Sequence, residues 1–222
     1  MINYPGKETS EKYDLKELYE IIRLLRSPEG CPWDRVQTHE TLRRPMLEEA
    51  YELIDAIDKN SRDGIVEELG DVLLQVIFHS IIGEEDGSFS FSDVTDGCAR
   101  KMLFRHSHVF GDATAADAGQ ALANWDAMKQ KEKGFADVRE DIRAVPECFT
   151  ALMRAAKCAG KLRKAKMPDP LLENIALPEA DYGDPSAVGR LLYAICAKAE
   201  SCGTDAEMAL ADTVKKYIQG ME

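Results

Sequence analysis

The chain has 222 residues, of which 45% are hydrophobic, 31% charged and 7% aromatic, with 15 Gly and 9 Pro. That length can bury a real core, and the composition excludes fibrous, low-complexity and disordered classes. The formal charge of −12, from 40 acids against 28 bases, disfavours nucleic acid and anionic membrane as partners and favours a cation. Unbranched helix formers dominate while β-branched and aromatic residues are sparse, which favours helix over sheet. No apolar run approaches the roughly 18 residues of a membrane span, and the start MINYPGKETSEKYDL lacks a secretion signal, so a cytoplasmic location is expected. The six cysteines form no CxxC pair, and reduced thiols are the expectation.

Taken in order, Leu15, Leu18, Ile21, Ile22 and Leu25 recur at three and four residue steps and predict a first helix. Ser27 to Gly30 breaks it, and Cys31 to Asp34 (CPWD) reads as a loop. Pro45 marks the start of a second helix carrying Leu47, Tyr51, Ile54 and Ile57 to about Ser61. A third runs from Gly64 to about Gly83, its near-continuous apolar stretch VLLQVIF predicting burial. After an acidic turn, Gly83 to Ser90, a fourth helix is capped by Ser92 and Asp93, and Arg105 to Asp112 forms an ordered loop. A fifth spans about Gln120 to Lys133. Residues 136–147 read as a linker between a domain at 1–135 and another at 148–222. The second contains a helix from Phe149 to Lys166, a Pro-rich loop from Met167 to Pro185, and helices at Val188 to Ser201 and Asp205 to Gln219. No sustained strand alternation appears, so the expected fold class is all-α, a helical bundle.

The chemistry concentrates in a repeated pattern. Glu48, Glu49 and Glu52 on the second helix, and Glu67, Glu68 and Asp71 on the third, are each written Glu-Glu-x-x-acid. Positions three apart share a helix face, so Glu49 with Glu52 and Glu68 with Asp71 converge if the two helices pack antiparallel. Each carboxylate pair at about 6 Å repels by roughly 3 kcal/mol at an effective dielectric near 20. Residues 48–86 hold twelve acids and two bases, and no Lys or Arg lies between Arg62 and Arg100. An intrahelical base is thereby excluded as the counter-charge for a buried acid, and a metal becomes the leading explanation. The bland alternative is a solvated acidic face. Carboxylate oxygens with no Cys and no obvious His partner select a hard ion, Mg²⁺ or Mn²⁺, over zinc. A di-iron centre is not supported, since no His has Glu three residues before it, and there is no GxxxxGK[ST] loop for nucleotides.

The segments EGCPWDRVQTHETL (Glu29 to Leu42), LEEAYELIDAI (Leu47 to Ile57), EELGDVLLQVIFH (Glu67 to His79), KMLFRHSHVFGD (Lys101 to Asp112) and NWDAMKQKEK (Asn124 to Lys133) together resemble the MazG nucleoside triphosphate pyrophosphohydrolases. The resemblance implies an all-α fold that forms a homodimer and a Mg²⁺-dependent hydrolysis of an NTP or dNTP to monophosphate and pyrophosphate. By position it places metal ligands at Glu49, Glu52, Glu68 and Asp71. Catalytic roles fall on Glu48 and Glu49, with Glu48 binding metal or orienting water. Phosphate and nucleotide contacts fall on Lys101, Arg105, Trp125 and Lys129. Their alternatives are surface bases for the three cations and a core position for Trp125; His106 and His108 touch phosphate or tie down the loop. One departure is Ser107, where the family usually has Pro.

The C-terminal part reads as a worn second copy. Val188 to Glu200 aligns with Leu69 to Ile81 and sets Arg190 where the first copy has Asp71, so catalytic metal binding is not expected there. Arg154, Lys157, Lys161 and Lys164 recur at helical steps and form a basic face, either solvated or available to an acidic or RNA partner. A competing function is a non-catalytic helical module that senses nucleotide or metal.

Overall fold

The structure, a computed structural model, describes residues 4, 6, 11–146, 148–168, 181, 183–210 and 212. Among them every regular element is a helix, and the chain divides into two compact units, Met1–Asp117 and Ala118–Glu222. The division falls before the helix bearing Trp125 and Lys129, which the sequence reading had grouped with the first domain.

In the first unit, α1 (Leu15–Arg26) is opened by a capping box between Asp14 and Glu17. The CPWD segment, expected as a loop, is one helical turn, α2 (Pro32–Arg35), because Pro32 has φ preset for a helix and loses no needed donor there. Helix α3 (Arg43–Asp58) starts two residues before Pro45, which is tolerated because first-turn N–H groups have no intrahelical acceptor. Helix α4 (Arg62–Asp86) is capped by Ser61 and outruns its predicted end at Gly83, stopping at Gly87 in the left-handed region (φ 74°). Gly83 is a packing position: the Phe89 ring lies 2.7–2.8 Å from where a Cβ would stand. Ser90, rather than Ser92, caps α5 (Phe91–Arg105), with Asp93 closing the capping box. The segment after it, expected as a loop, holds one further turn, α6 (Ser107–Phe110).

The core of this unit joins Ile22 and Leu42 to Ile77, Phe78, Ile81 and Ile82, with Leu18, Tyr19, Leu73, Leu74 and Phe91 against it. Burial of each such side chain contributes about 1.5–3 kcal/mol, so the second half of α4 is the spine. Arg26 is 6% exposed yet fully engaged. Its guanidinium forms a bidentate pair with Glu85 (3.0 and 2.5 Å) and donates to the carbonyls of Asp34 and Gln37 (2.7 and 3.2 Å). It thereby fastens α1, α2 and α4 together. Helix α3 contrasts with α4. Only Ala56 is buried on it, and the predicted apolar stripe of Leu47, Tyr51, Ile54 and Ile57 is 40–57% exposed.

The second unit contains α7 (Ala118–Lys133), α8 (Val138–Arg143), α9 (Ala151–Lys164) and α10 (Pro185–Ser201). Helix α8 occupies the stretch read as a linker, capped by Asp137. Its Asp141 is 6% exposed, accepting from Gln130 (2.9 Å) and from Lys161. Lys164 pairs with Asp126 at 2.5 Å, and Arg163 pairs bidentately with Glu200 at 2.8 and 2.5 Å. The basic face of α9 is therefore partly consumed inside its own unit. Helix α10 begins at Pro185, with Asp184 as its cap, rather than at Val188. Of the predicted last helix, residues 206–210 are helical; its end, and most of the Met167 to Pro185 loop, lie outside the described residues. Among the described residues no helix is long and apolar enough to cross a membrane.

Candidate metal centre

Only residues 59–61 separate α3 from α4, so α4 must fold back antiparallel along α3. The turn is locally encoded. Asn60 takes a left-handed φ of 50°, which Asn tolerates better than most residues. The Ser61 N–H donates to Ala56 O (3.0 Å), and the Ser61 hydroxyl accepts from the Gly64 N–H (3.2 Å).

An antiparallel pair brings together residues equidistant from its turn, and the acids obey that rule. One carboxylate oxygen from each of Glu49, Glu68 and Asp71 lies within 4.8 Å of the others. All three residues are half-buried, and Glu68 Oε2 is buried with no hydrogen-bond partner. The electrostatics record the crowding. Burial, then Asp71, Glu52 and Glu48, push the Glu49 carboxyl above its usual range. Burial, then Glu52, Glu67, Asp71 and Glu49, do the same to Glu68. Burial and neighbouring acids account for both shifts.

The other expected residues divide. Glu52 is exposed and outside the group of three, though its charge acts on both Glu49 and Glu68. Glu48 is exposed and accepts from Arg44 Nε at 2.7 Å, one turn back on the same helix. On α5, Lys101 is half-buried and Arg105 buried, both outside the three-carboxylate group. Trp125 and Lys129 belong to α7 in the other unit. His106 Nδ1 donates to Met102 O (2.7 Å) and its ring lies 5.7 Å from that of His108, contacts that tie down the loop.

One pair escaped the sequence reading. His39 and His79 meet with Nδ1 atoms 2.7 Å apart. Forty residues separate them, so no local spacing betrays the contact, but they stand at 21 and 19 residues from Asn60, and the same equidistance rule that joins Glu49 to Asp71 could have found it.

Residues 37–110, which span the whole acidic hairpin, match the family model for the MazG nucleotide pyrophosphohydrolase domain. A Thermotoga maritima protein named nucleoside triphosphate pyrophosphohydrolase/pyrophosphatase MazG is 38% identical over 92% of this chain and 82% of its own length. The chain belongs to the MazG family. The nucleoside triphosphate pyrophosphohydrolase of Escherichia coli K12 is 34% identical over 91% of this chain and 84% of its own. Bacillus subtilis YabN, whose name assigns no function, is 46% identical over 69% of this chain, which spans 31% of YabN.

Proposed function

We propose that this MazG protein hydrolyses nucleoside triphosphates, NTP or dNTP, to monophosphate and pyrophosphate, and that the activity depends on Mg²⁺, with Mn²⁺ as a substitute. The observation that carries the reading is the buried, unpartnered Glu68 Oε2 inside a three-carboxylate group. An all-oxygen donor set fits a hard divalent ion. Glu49, Glu68 and Asp71 would hold it, with Glu52 joining from the next turn of α3. When bound, such an ion neutralises triphosphate charge, lowers the pKa of a water and stabilises the departing pyrophosphate. Glu48 lies beside the cluster on α3 and is assigned to orienting the attacking water, its carboxylate shared with Arg44. Lys101 and Arg105, on α5 of the same unit, are assigned to phosphate oxygens. The family names carried by the Thermotoga and Escherichia relatives support the reaction class. The uncovered stripe of Leu47, Tyr51 and Ile54, with Val66 and Leu69 on α4, supports a homodimer formed against the same hairpin.

The test is pyrophosphate release from a panel of NTPs and dNTPs across Mg²⁺ concentrations, for wild type, Glu68→Gln and Asp71→Asn. Loss of at least about 100-fold in either variant is expected, the scale on which electrostatic stabilisation of the transition state acts. Equal activity in all three rejects the site. Binding of metal and nucleotide without turnover would instead establish a sensing module.

A further inference from the structure

The α3–α4 hairpin is closed covalently at one end by residues 59–61. At the other end, beside the buried packing of Leu42 with Ile77 and Phe78, His39, just before α3, meets His79 of α4, with Glu49, Glu68 and Asp71 between the two ends. We infer that the His39–His79 hydrogen bond is a clip that positions these carboxylates for cation binding, an inference resting on the metal reading above.

The geometry defines the clip. The two rings lie 5.0 Å apart, 7° from parallel, and Phe89 stacks on His39 at 5.9 Å. Phe89 reaches that place because Gly87 turns the chain in the left-handed region and Gly83 leaves room for its ring. A 2.7 Å contact between two Nδ1 atoms requires one to donate and the other to accept, so at least one ring is neutral. The carboxylates acting on the pair are Asp86 of α4 and Glu40 of the preceding turn, both beside His39. The charge acting on His79 is His39 itself, and burial with His39 pulls the His79 imidazole below its ordinary range. Either ring can donate to the other, and one added proton leaves the bond in place. The need for a clip follows from the site. Three crowded carboxylates repel across the hairpin, and this force opens the end that no covalent turn restrains. A hairpin held shut before the ion arrives spends less binding energy on ordering its ligands. His39 and His79 are positioning residues, since neither belongs to the carboxylate group.

The experiment measures binding of Mn²⁺ alone to the full chain, by calorimetry and by electron paramagnetic resonance, together with ¹⁵N spectra of the imidazoles. His39→Phe keeps a ring over Phe89 but removes its Nδ1 from the bond; the Mn²⁺ dissociation constant is expected to rise about tenfold, the scale of losing an outer partner of a metal site. Turnover at saturating metal should stay within about twofold, on the same reasoning that only ligand placement has changed. His39→Asn, which returns an amide donor near the Nδ1 position, should restore affinity. His79→Phe breaks the clip from the other side and reads the same effect should His39→Phe fold poorly. In wild type, His79 should titrate below the usual histidine range and the pair should show one protonated and one unprotonated Nδ1. Unchanged Mn²⁺ affinity in both Phe variants, no rescue by Asn, or two rings titrating independently overturns the clip. Absence of Mn²⁺ binding in wild type, with the shared-proton signature intact, instead rejects the metal reading and the positioning role with it.

Discussion

Two helical hairpins of this protein handle charge in opposite ways. In the second unit, α9 and α10 with α7 and α8 close charges against one another: Lys161 with Asp141, Lys164 with Asp126, Arg163 with Glu200. In the first, α3 and α4 set Glu49, Glu68 and Asp71 within 4.8 Å of each other, and no Lys or Arg is available on α4 beyond Arg62. Carboxylates are seldom buried without a partner, because desolvation is repaid only by a cation or a hydrogen bond. Asp141, Asp126 and Glu200 of the second unit obey this rule, and its Glu207 Oε2, buried without a partner, stands in no acidic group among the described residues. The unpartnered Glu68 Oε2 stands in a group of three, which marks that group as a place for something not encoded in the chain.

The comparison can be broken most forcefully in the second unit. Lys161→Met leaves Asp141 buried with a hydrogen bond from Gln130 and the charge of Lys129, and about 3 kcal/mol of stability should be lost, the low end for breaking a buried pair because Lys161 keeps some exposure. The melting temperature should fall accordingly, while the response to Mg²⁺ is unchanged; a lost Mg²⁺ response would mean the two charge systems are one.

A pH scan sharpens the contrast from the other side. Glu49 and Glu68 hold protons more tightly in the folded state than unfolded, so in the window between the two pKa values the native state carries more protons and stability falls as pH rises. Metal-free protein should therefore melt higher near the top of the carboxylate range than at pH 7. Saturating Mg²⁺ at pH 7 should abolish the difference. A metal-free melting temperature that instead rises steadily toward pH 7 contradicts the raised values.

The smallest effect is expected at Arg190, placed by sequence where the first copy has Asp71. It is exposed, donates to Ser186 (2.5 Å) and lies 3.7 Å from Asp184 at the start of its own helix. Arg190→Asp should change stability by no more than about 0.5 kcal/mol, as exposed pairs do. It should add no second Mg²⁺-dependent rise in melting temperature.

Much of this was legible before any coordinates. The three-four periodicity locates the long helices, and the duplicated Glu-Glu-x-x-acid with its short connection leads one to expect Glu49, Glu52, Glu68 and Asp71 to converge, of which Glu49, Glu68 and Asp71 lie together and Glu52 stands outside the group. Helix ends were less legible where two signals competed: Gly83 looks like a stop, but a glycine covered by an aromatic ring and a glycine that reverses the chain are the same letter, and the reversal belongs to Gly87. The apolar stripe of α3 predicts a helix but not its burial, because periodicity reports a face, not what covers it. Glu48 shows a further limit, since Arg44 one turn earlier offered a partner that a motif-centred reading passed over. The contact of His39 with His79 is tertiary and emerges only when the hairpin is folded on paper.

Arg26 carries a consequence for local motion. By gripping the carbonyls of Asp34 and Gln37 while paired to Glu85, it makes the surface turn around Trp33 unable to fray by itself. Detaching that turn strips the Asp34 and Gln37 carbonyls of the guanidinium they share. Amide protons there should consequently exchange with deuterium far more slowly than their position at the periphery suggests, and only in step with the opening of α4.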